Sequence, residues 1–175
     1  MIIIVSGGCL GVEIAALRAA WSSGLPTRGW IATQHVSGDD RKAFGLRSWG
    51  RKRRDVGSRQ WAREKGHLAF GEAALANISG SSMTCWLGPR GSRKFDAIRS
   101  MCHDKRKLWC VLAEMDTVDA STATDMLARH GVEIVNFTGD SEADQPGIAM
   151  RVEPFLRPIF ATLSQENLQC STHSR

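Results

Sequence analysis

Residues 1–8, Met-Ile-Ile-Ile-Val-Ser-Gly-Gly, constrain the fold more than any other stretch of this chain. A run of β-branched residues that is apolar on both alternating faces suits a parallel strand covered by helices on both sides. It stops on two glycines, and a helical pattern begins at once in GVEIAALRAAWSSG. There Val12, Ala15, Ala16, Ala19 and Ala20 recur at helical spacing, and Gly24 with Pro26 marks the end. A strand that turns directly into a helix through glycines presents backbone N–H groups at a helix start, where an anion is favoured.

The same alternation continues. GWIAT reads as a short second strand, and SRQWAREKGHLAFGEAALANI as a helix. SSMTCWLGP reads as a strand, GSRKFDAIRSMCHDKRK as a helix, and LWCVLAEM as a strand. DASTATDMLARHG, VEIVNF and PGIAMRVEPFLRPIFATL then read as helix, strand and helix, with Pro158 expected to bend or break the last. Strands alternating with helices imply βαβ units with right-handed crossovers. The expected fold is a single α/β domain over residues 1–164, a Rossmann-like, doubly wound, mostly parallel sheet flanked by helices. Residues 35–58 are polar, basic and dotted with glycine, and read as a loop or lid. Residues 165–175 read as a polar, disordered tail.

In such a sheet, ligands sit beyond the carboxyl ends of the strands, where strand order reverses. Three strand ends carry glycine-rich turns: Ser6-Gly7-Gly8, then Gly88-Pro89-Arg90-Gly91-Ser92, then Thr138-Gly139-Asp140. The first two lead straight into helices. Glycine lets a ligand approach the backbone closely, Ser6 and Ser92 offer hydroxyls, and Arg90 and Arg93 offer charge. The candidate binding set is therefore Ser6, Gly7, Gly8, Gly88, Arg90, Gly91, Ser92, Arg93, Thr138 and Gly139. Neither helix-starting turn is a G-x-x-x-x-G-K-[ST] loop, and GGCLG does not fit G-x-G-x-x-G, so a dinucleotide oxidoreductase is unsupported.

Composition narrows the field. The chain has 175 residues, 42% hydrophobic and 23% charged, as in an ordinary globular domain. No apolar run approaches the roughly 20 residues that span a membrane, and MIIIV lacks the basic start of a signal peptide. The five cysteines form no CxxC pair and read as reduced thiols of a cytoplasmic protein. No metal-ligand spacing is evident. In Met101-Cys102-His103-Asp104, adjacent residues point different ways on a helix. The net charge of +5 comes from residues 41–65, where ten basic residues face Asp55 and Glu64 alone. This block interleaves Trp49 and Trp61 and favours an anionic partner, either a flat phosphorylated heterocycle or single-stranded nucleic acid.

SGGCLGVEIAALRAAWSSGLPTRGW resembles the signature of the molybdenum cofactor carrier family, which reads S-G-G-Q-T-G-V-D-x-A-A-L…G-x-P-T-G-G-W. GVEIVNFTGDSEADQPGI is similar to that family's LNVAGPRES…PGI segment, and NISGSSMTCWL to its N-V-x-D-S-D-A-T-L-I segment. The resemblance spans most of residues 2–163. It implies a Rossmann-like homo-oligomer that carries molybdenum cofactor or a nucleotide. The chain departs from the pattern at Cys9-Leu10, which stand for Gln-Thr, and at Glu13, which stands for Asp. It departs again at Gly80-Ser81-Ser82, which stand for Asp-Ser-Asp, and at Thr138-Gly139-Asp140-Ser141, which stand for Ala-Gly-Pro-Arg. The related cytokinin-activating phosphoribohydrolases carry P-G-G-x-G-T-x-x-E. In GPRGSRKF, Phe95 stands at the Glu position with Asp96 beside it.

The reading is a binding protein for a phosphate-bearing heterocyclic ligand. The alternatives are a nucleotide N-glycosidic hydrolase assisted by Glu13 or Asp96, and a module that sequesters a nucleotide signal or binds nucleic acid through residues 41–65. The nucleic-acid alternative predicts polynucleotide affinity that falls steeply between low and moderate salt through counterion release. A fluorescence-anisotropy titration at two salt concentrations checks it.

Overall fold

The computed structural model describes residues 1–31, 38–48, 71–112, 120–129 and 131–172. Among the described residues six parallel strands form one sheet in the order β3-β2-β1-β6-β4-β5. These are β1 (Ile3–Val5), β2 (Thr27–Ile31), β3 (Leu46–Ser48), β4 (Met83–Leu87), β5 (Leu108–Val111) and β6 (Ile134–Gly139). The helices are α1 (Val12–Ser22), α2 (Gly38–Ala43), α3 (Gly71–Ser79), α4 (Arg93–Asp104), α5 (Ala120–Arg129) and α6 (Ile148–Thr172). The fold is the single-domain, Rossmann-like α/β arrangement that the alternating pattern implies.

Each element follows from its residues. α1 is buried almost all round, with Ala15, Ala16, Ala19 and Ala20 wholly covered. Small side chains let it lie close to both the sheet and α6, where Ile148, Val152, Leu156 and Phe160 complete the main core. It ends in a Schellman motif. The N–H of Leu25 donates to the Ala20 carbonyl (3.0 Å) and that of Gly24 to Trp21 (3.1 Å), with Gly24 at φ +73. The opposite face of the sheet carries α3 and α4, packed as Leu75, Ile78, Phe95, Ile98 and Met101 around the buried Trp86.

Two segments depart from the sequence reading. Within the stretch 35–58 read as a loop or lid, residues 38–48 hold α2 and the edge strand β3. Phe44 and Leu46 are buried there against Ile14, Leu17 and Ile31. Two apolar residues among many charges gave too short a pattern to read as structure. The rest of that stretch, with Trp49, lies outside the described residues, as does most of the basic block 41–65, with Trp61. The tail read as disordered from 165 is helical to Thr172, and α6 runs through Pro154 and Pro158 without a break. Turns on either side of a proline can keep a long helix continuous when one face is anchored, as Ile159, Phe160 and Leu163 anchor this one. Among the described residues no helix is long and apolar enough to cross a membrane.

β6 inserts between β1 and β4, so their carboxyl ends are neighbours. The register Leu87↔Gly139 sets the ends of β4 and β6 level, and Val5↔Asn136 brings the end of β1 against β6 three residues earlier. Two glycines make the close contacts possible. A Cβ on Gly29 would stand 1.9 Å from the Ser6 carbonyl oxygen, and one on Gly139 would stand 2.0 Å from that of Leu87. Both obstacles are backbone of a neighbouring strand, so Gly29→Ala is expected to cost about 3 kcal/mol or more, as severe overpacking does. Gly38→Ala meets nothing within 4 Å and is expected to stay within about 0.5 kcal/mol of the parent. Urea denaturation of the two variants checks both values.

Candidate functional site

The three glycine turns anticipated at the strand ends lie together on one edge, but they use their polar groups differently. In the first turn most donors are turned inward. Ser6 is wholly buried, and its hydroxyl donates to the Phe137 carbonyl at 2.7 Å. Gly11, the residue before α1, adopts φ +120. The first amides of α1 are taken by the chain itself: Val12 N–H donates to the Asp140 carbonyl (3.2 Å) and Ile14 N–H to Cys9 (3.1 Å).

Glu13 completes this inward network. Its carboxylate accepts the Cys9 N–H at 3.0 Å and the Thr138 hydroxyl at 2.9 Å. It is only 9% exposed. Gly7 leaves the space it occupies, since a Cβ there would meet Oε2 at 2.5 Å. The anion that the Ser6-Gly7-Gly8 turn accommodates is thus the chain's own side chain. The neighbouring Cys9 thiol feels it. The Glu13 charge, then burial, then the hydrogen bond to Glu13 push its pKa up to about 12, so Cys9 is a protonated thiol at neutral pH.

The second turn faces outward. Trp86 Nε1 donates to the carbonyls of Gly88 (3.0 Å) and Pro89 (3.3 Å), which pins the chain as it leaves β4. Arg90 and Gly91 are exposed, with Gly91 at φ +87. Ser92 caps α4 by accepting the Phe95 N–H at 3.0 Å, which leaves its own proton to donate. Gly88 lies beside the third turn. A Cβ on it would stand 2.8 Å from Asp140 Oδ2.

Between the second and third turns opens a cleft of about 640 Å³. On one side it is lined by Ser92, Arg93 and Lys94 at the start of α4, and on the other by Asp140, Asp144 and Gln145 after β6, with Cys9 on its floor. Its walls carry opposite charge. Burial raises the pKa of Asp140, while the charge of Lys94 opposes that rise. Asp144 is held below the ordinary carboxylate range by hydrogen bonds from Ser141, whose hydroxyl donates to it at 2.7 Å.

Of the residues expected from sequence, Ser92 and Arg93 line this cleft, and Gly88 shapes its edge. Ser6 and Thr138 have their hydroxyl protons engaged within the fold. Gly139 is pressed against Leu87, and Gly8 forms a left-handed turn at φ +74. Asp96 is exposed on α4, while Phe95 packs edge-to-face on Trp86 with ring centroids 5.6 Å apart. Sequence reasoning missed Lys94, Asp140, Asp144 and Gln145, and read Cys9 only as one of the reduced thiols. Lys94 was the residue to notice, two places after a serine cap. Asp140 was legible as an acid standing where the resembling family has proline. Met101 and Cys102 turn into the core while His103 faces solvent, and among the described residues no group of three or more His, Cys, Asp or Glu could hold a metal ion.

A solved structure shares this architecture. It is that of a protein from Syntrophus aciditrophicus SB described as a putative molybdenum carrier protein, 16% identical, with 91% of this chain covering 94% of that one at a TM-score of 0.66. The likeness is one of fold. No family model matches the sequence, and no curated protein does.

The pairing of Glu13 with Cys9 can be checked directly. Glu13→Gln removes the charge that does most to raise the thiol pKa, so alkylation of Cys9 by iodoacetamide at pH 8 is expected to accelerate about tenfold or more. Peptide mass spectrometry over time reads the rate. An unchanged rate would mean that burial alone protects the thiol.

Proposed function

We propose that this protein binds a phosphate-bearing heterocyclic ligand, molybdenum cofactor or a nucleotide, and acts as its carrier. The observation that carries this reading is the cleft beside the start of α4. A helix start offers N–H groups and a positive dipole end to an anion. The Ser92 hydroxyl and the side chains of Arg93 and Lys94 add donors and charge at the same place. The cleft lies where the strand order reverses, the usual position for ligands in open parallel sheets. Its volume suits a ligand of nucleotide size.

The phosphate belongs at α4 rather than at α1. The first turn already holds the Glu13 carboxylate, and a second anion there would be repelled. In the fold neighbour's description the cargo is molybdenum. If this chain carries a molybdenum-bearing ligand, the ligand's own donors would hold the metal, with the cleft gripping its organic part. Carriage stands ahead of glycosidic hydrolysis because Phe95, at the position of the hydrolases' glutamate, is packed into the apolar core.

Ser92→Asp tests the placement. Aspartate caps a helix as well as serine does, so α4 is expected to persist. The new charge sits where the phosphate would lie, and affinity for guanosine 5′-monophosphate is expected to fall at least about tenfold. Calorimetric titration measures the affinity, and circular dichroism checks the helix. Unaltered affinity in the folded variant would remove the phosphate from this helix start.

A further inference from the structure

The wall opposite α4 contains two hydrogen-bond acceptors that the fold itself does not use. Asp140 is 5% exposed, and among the described residues no hydrogen-bond donor reaches its carboxylate. Its backbone is clamped, because its carbonyl takes the Val12 N–H at 3.2 Å. Its side chain lies over Gly88, which could not carry a Cβ beside it. Gln145 Oε1 is buried and has no hydrogen-bond partner. Both residues line the same cleft.

Buried acceptors are almost always satisfied, and each exception calls for an explanation. Leaving one bare costs about 1–3 kcal/mol, and more when it is charged. Gln145 Oε1 is such an exception among the described residues, and it shares the cleft wall with the Asp140 carboxylate. Asp144, four residues on, gives the contrast: Ser141 supplies it with donors, and it needs nothing further.

We infer that the Asp140–Gln145 wall reads the heterocycle of the ligand by accepting hydrogen bonds from it, and so selects a ring that presents adjacent ring N–H and amino donors, as guanine does. The inference rests on the proposed binding of a phosphate-bearing heterocycle and orients that ligand. The phosphate lies at the start of α4, and the donor edge of the ring faces Asp140. A carboxylate has two oxygens that can accept from two parallel N–H groups, and the Gln145 carbonyl accepts a third donor or a shared one. The charge separation of the cleft agrees with this orientation, since Arg93 and Lys94 stand across from Asp140.

The test compares three mononucleotides on the full chain by calorimetric titration, each with magnesium and with chelator. Guanosine monophosphate offers both the ring N–H and the amino group, inosine monophosphate only the ring N–H, and adenosine monophosphate neither in that arrangement. The expected order is guanosine over inosine by about tenfold, with adenosine weaker still. In Asp140→Asn the guanosine preference is expected to collapse to within about threefold, and the ligand-free variant is expected to melt no lower than the parent because a desolvated charge is gone. A purely structural Asp140 would lower the melting temperature and leave the nucleotide order intact.

Equal affinity for all three nucleotides in the parent protein overturns the donor-edge inference and leaves phosphate binding standing. That comparison needs no variant, so it holds even if Asp140→Asn fails to fold. Guanosine binding that disappears with chelator also overturns the inference, because Asp140 would then hold a divalent cation. If none of the three binds and Ser92→Asp is equally silent, the carrier reading fails, and this inference with it.

Discussion

The insertion of β6 between β1 and β4 is the constraint on which the rest of the structure depends. It brings the first and third glycine turns into contact and sets the second beside them. Two inward hydrogen bonds fasten the junction, from Ser6 to the Phe137 carbonyl and from Thr138 to Glu13. Both are buried, where hydrogen bonds are strong and their loss leaves unsatisfied groups. The Asp140 carbonyl adds a third tie by capping α1 through Val12. A single strand end thus orients a helix, a carboxylate and one wall of the cleft.

That junction also decides the electrostatics. With Glu13 folded back onto the Cys9 amide, the β1 turn is occupied and negative. Its effect on Cys9 turns a surface-proximal thiol into an inert one. The start of α4 is left as the turn with positive character facing open space, and the acids after β6 stand against it. The resulting cleft has basic side chains on one wall and acidic ones on the other. A uniformly basic groove would suit nucleic acid better, and the described part of the protein does not form one there.

Much of this was legible in the chain. Alternation of apolar runs with helical patterns identified the architecture, because a short continuous apolar run ended by glycine and a 3.6-residue period are distinct signals. Glycines at strand ends located the edge, because close approach between strands and positive φ both call for glycine. Ser92 and Arg93 were readable as a cap and a charge at a helix start. Less legible were α2 and β3, whose apolar content is two residues, and the helical tail, whose polar sequence gives no helical period of its own.

What the sequence by itself determined is the parallel α/β fold, the sheet edge where the glycine turns gather, and the start of α4 as a serine-capped helix end beside basic residues. These follow from local rules of periodicity, capping and backbone freedom. Only the tertiary structure decided which hydroxyls and amides remain available. Ser6 and Thr138 read as ligand donors in isolation, yet Phe137 and Glu13, more than a hundred residues away in the chain, accept their protons. Asp140 read as the end of a turn, and the fold set it, little exposed and beside Gly88, on the wall of a cleft. A donor or acceptor is defined by its partner, and the partners here are set by strand order, which no local pattern encodes.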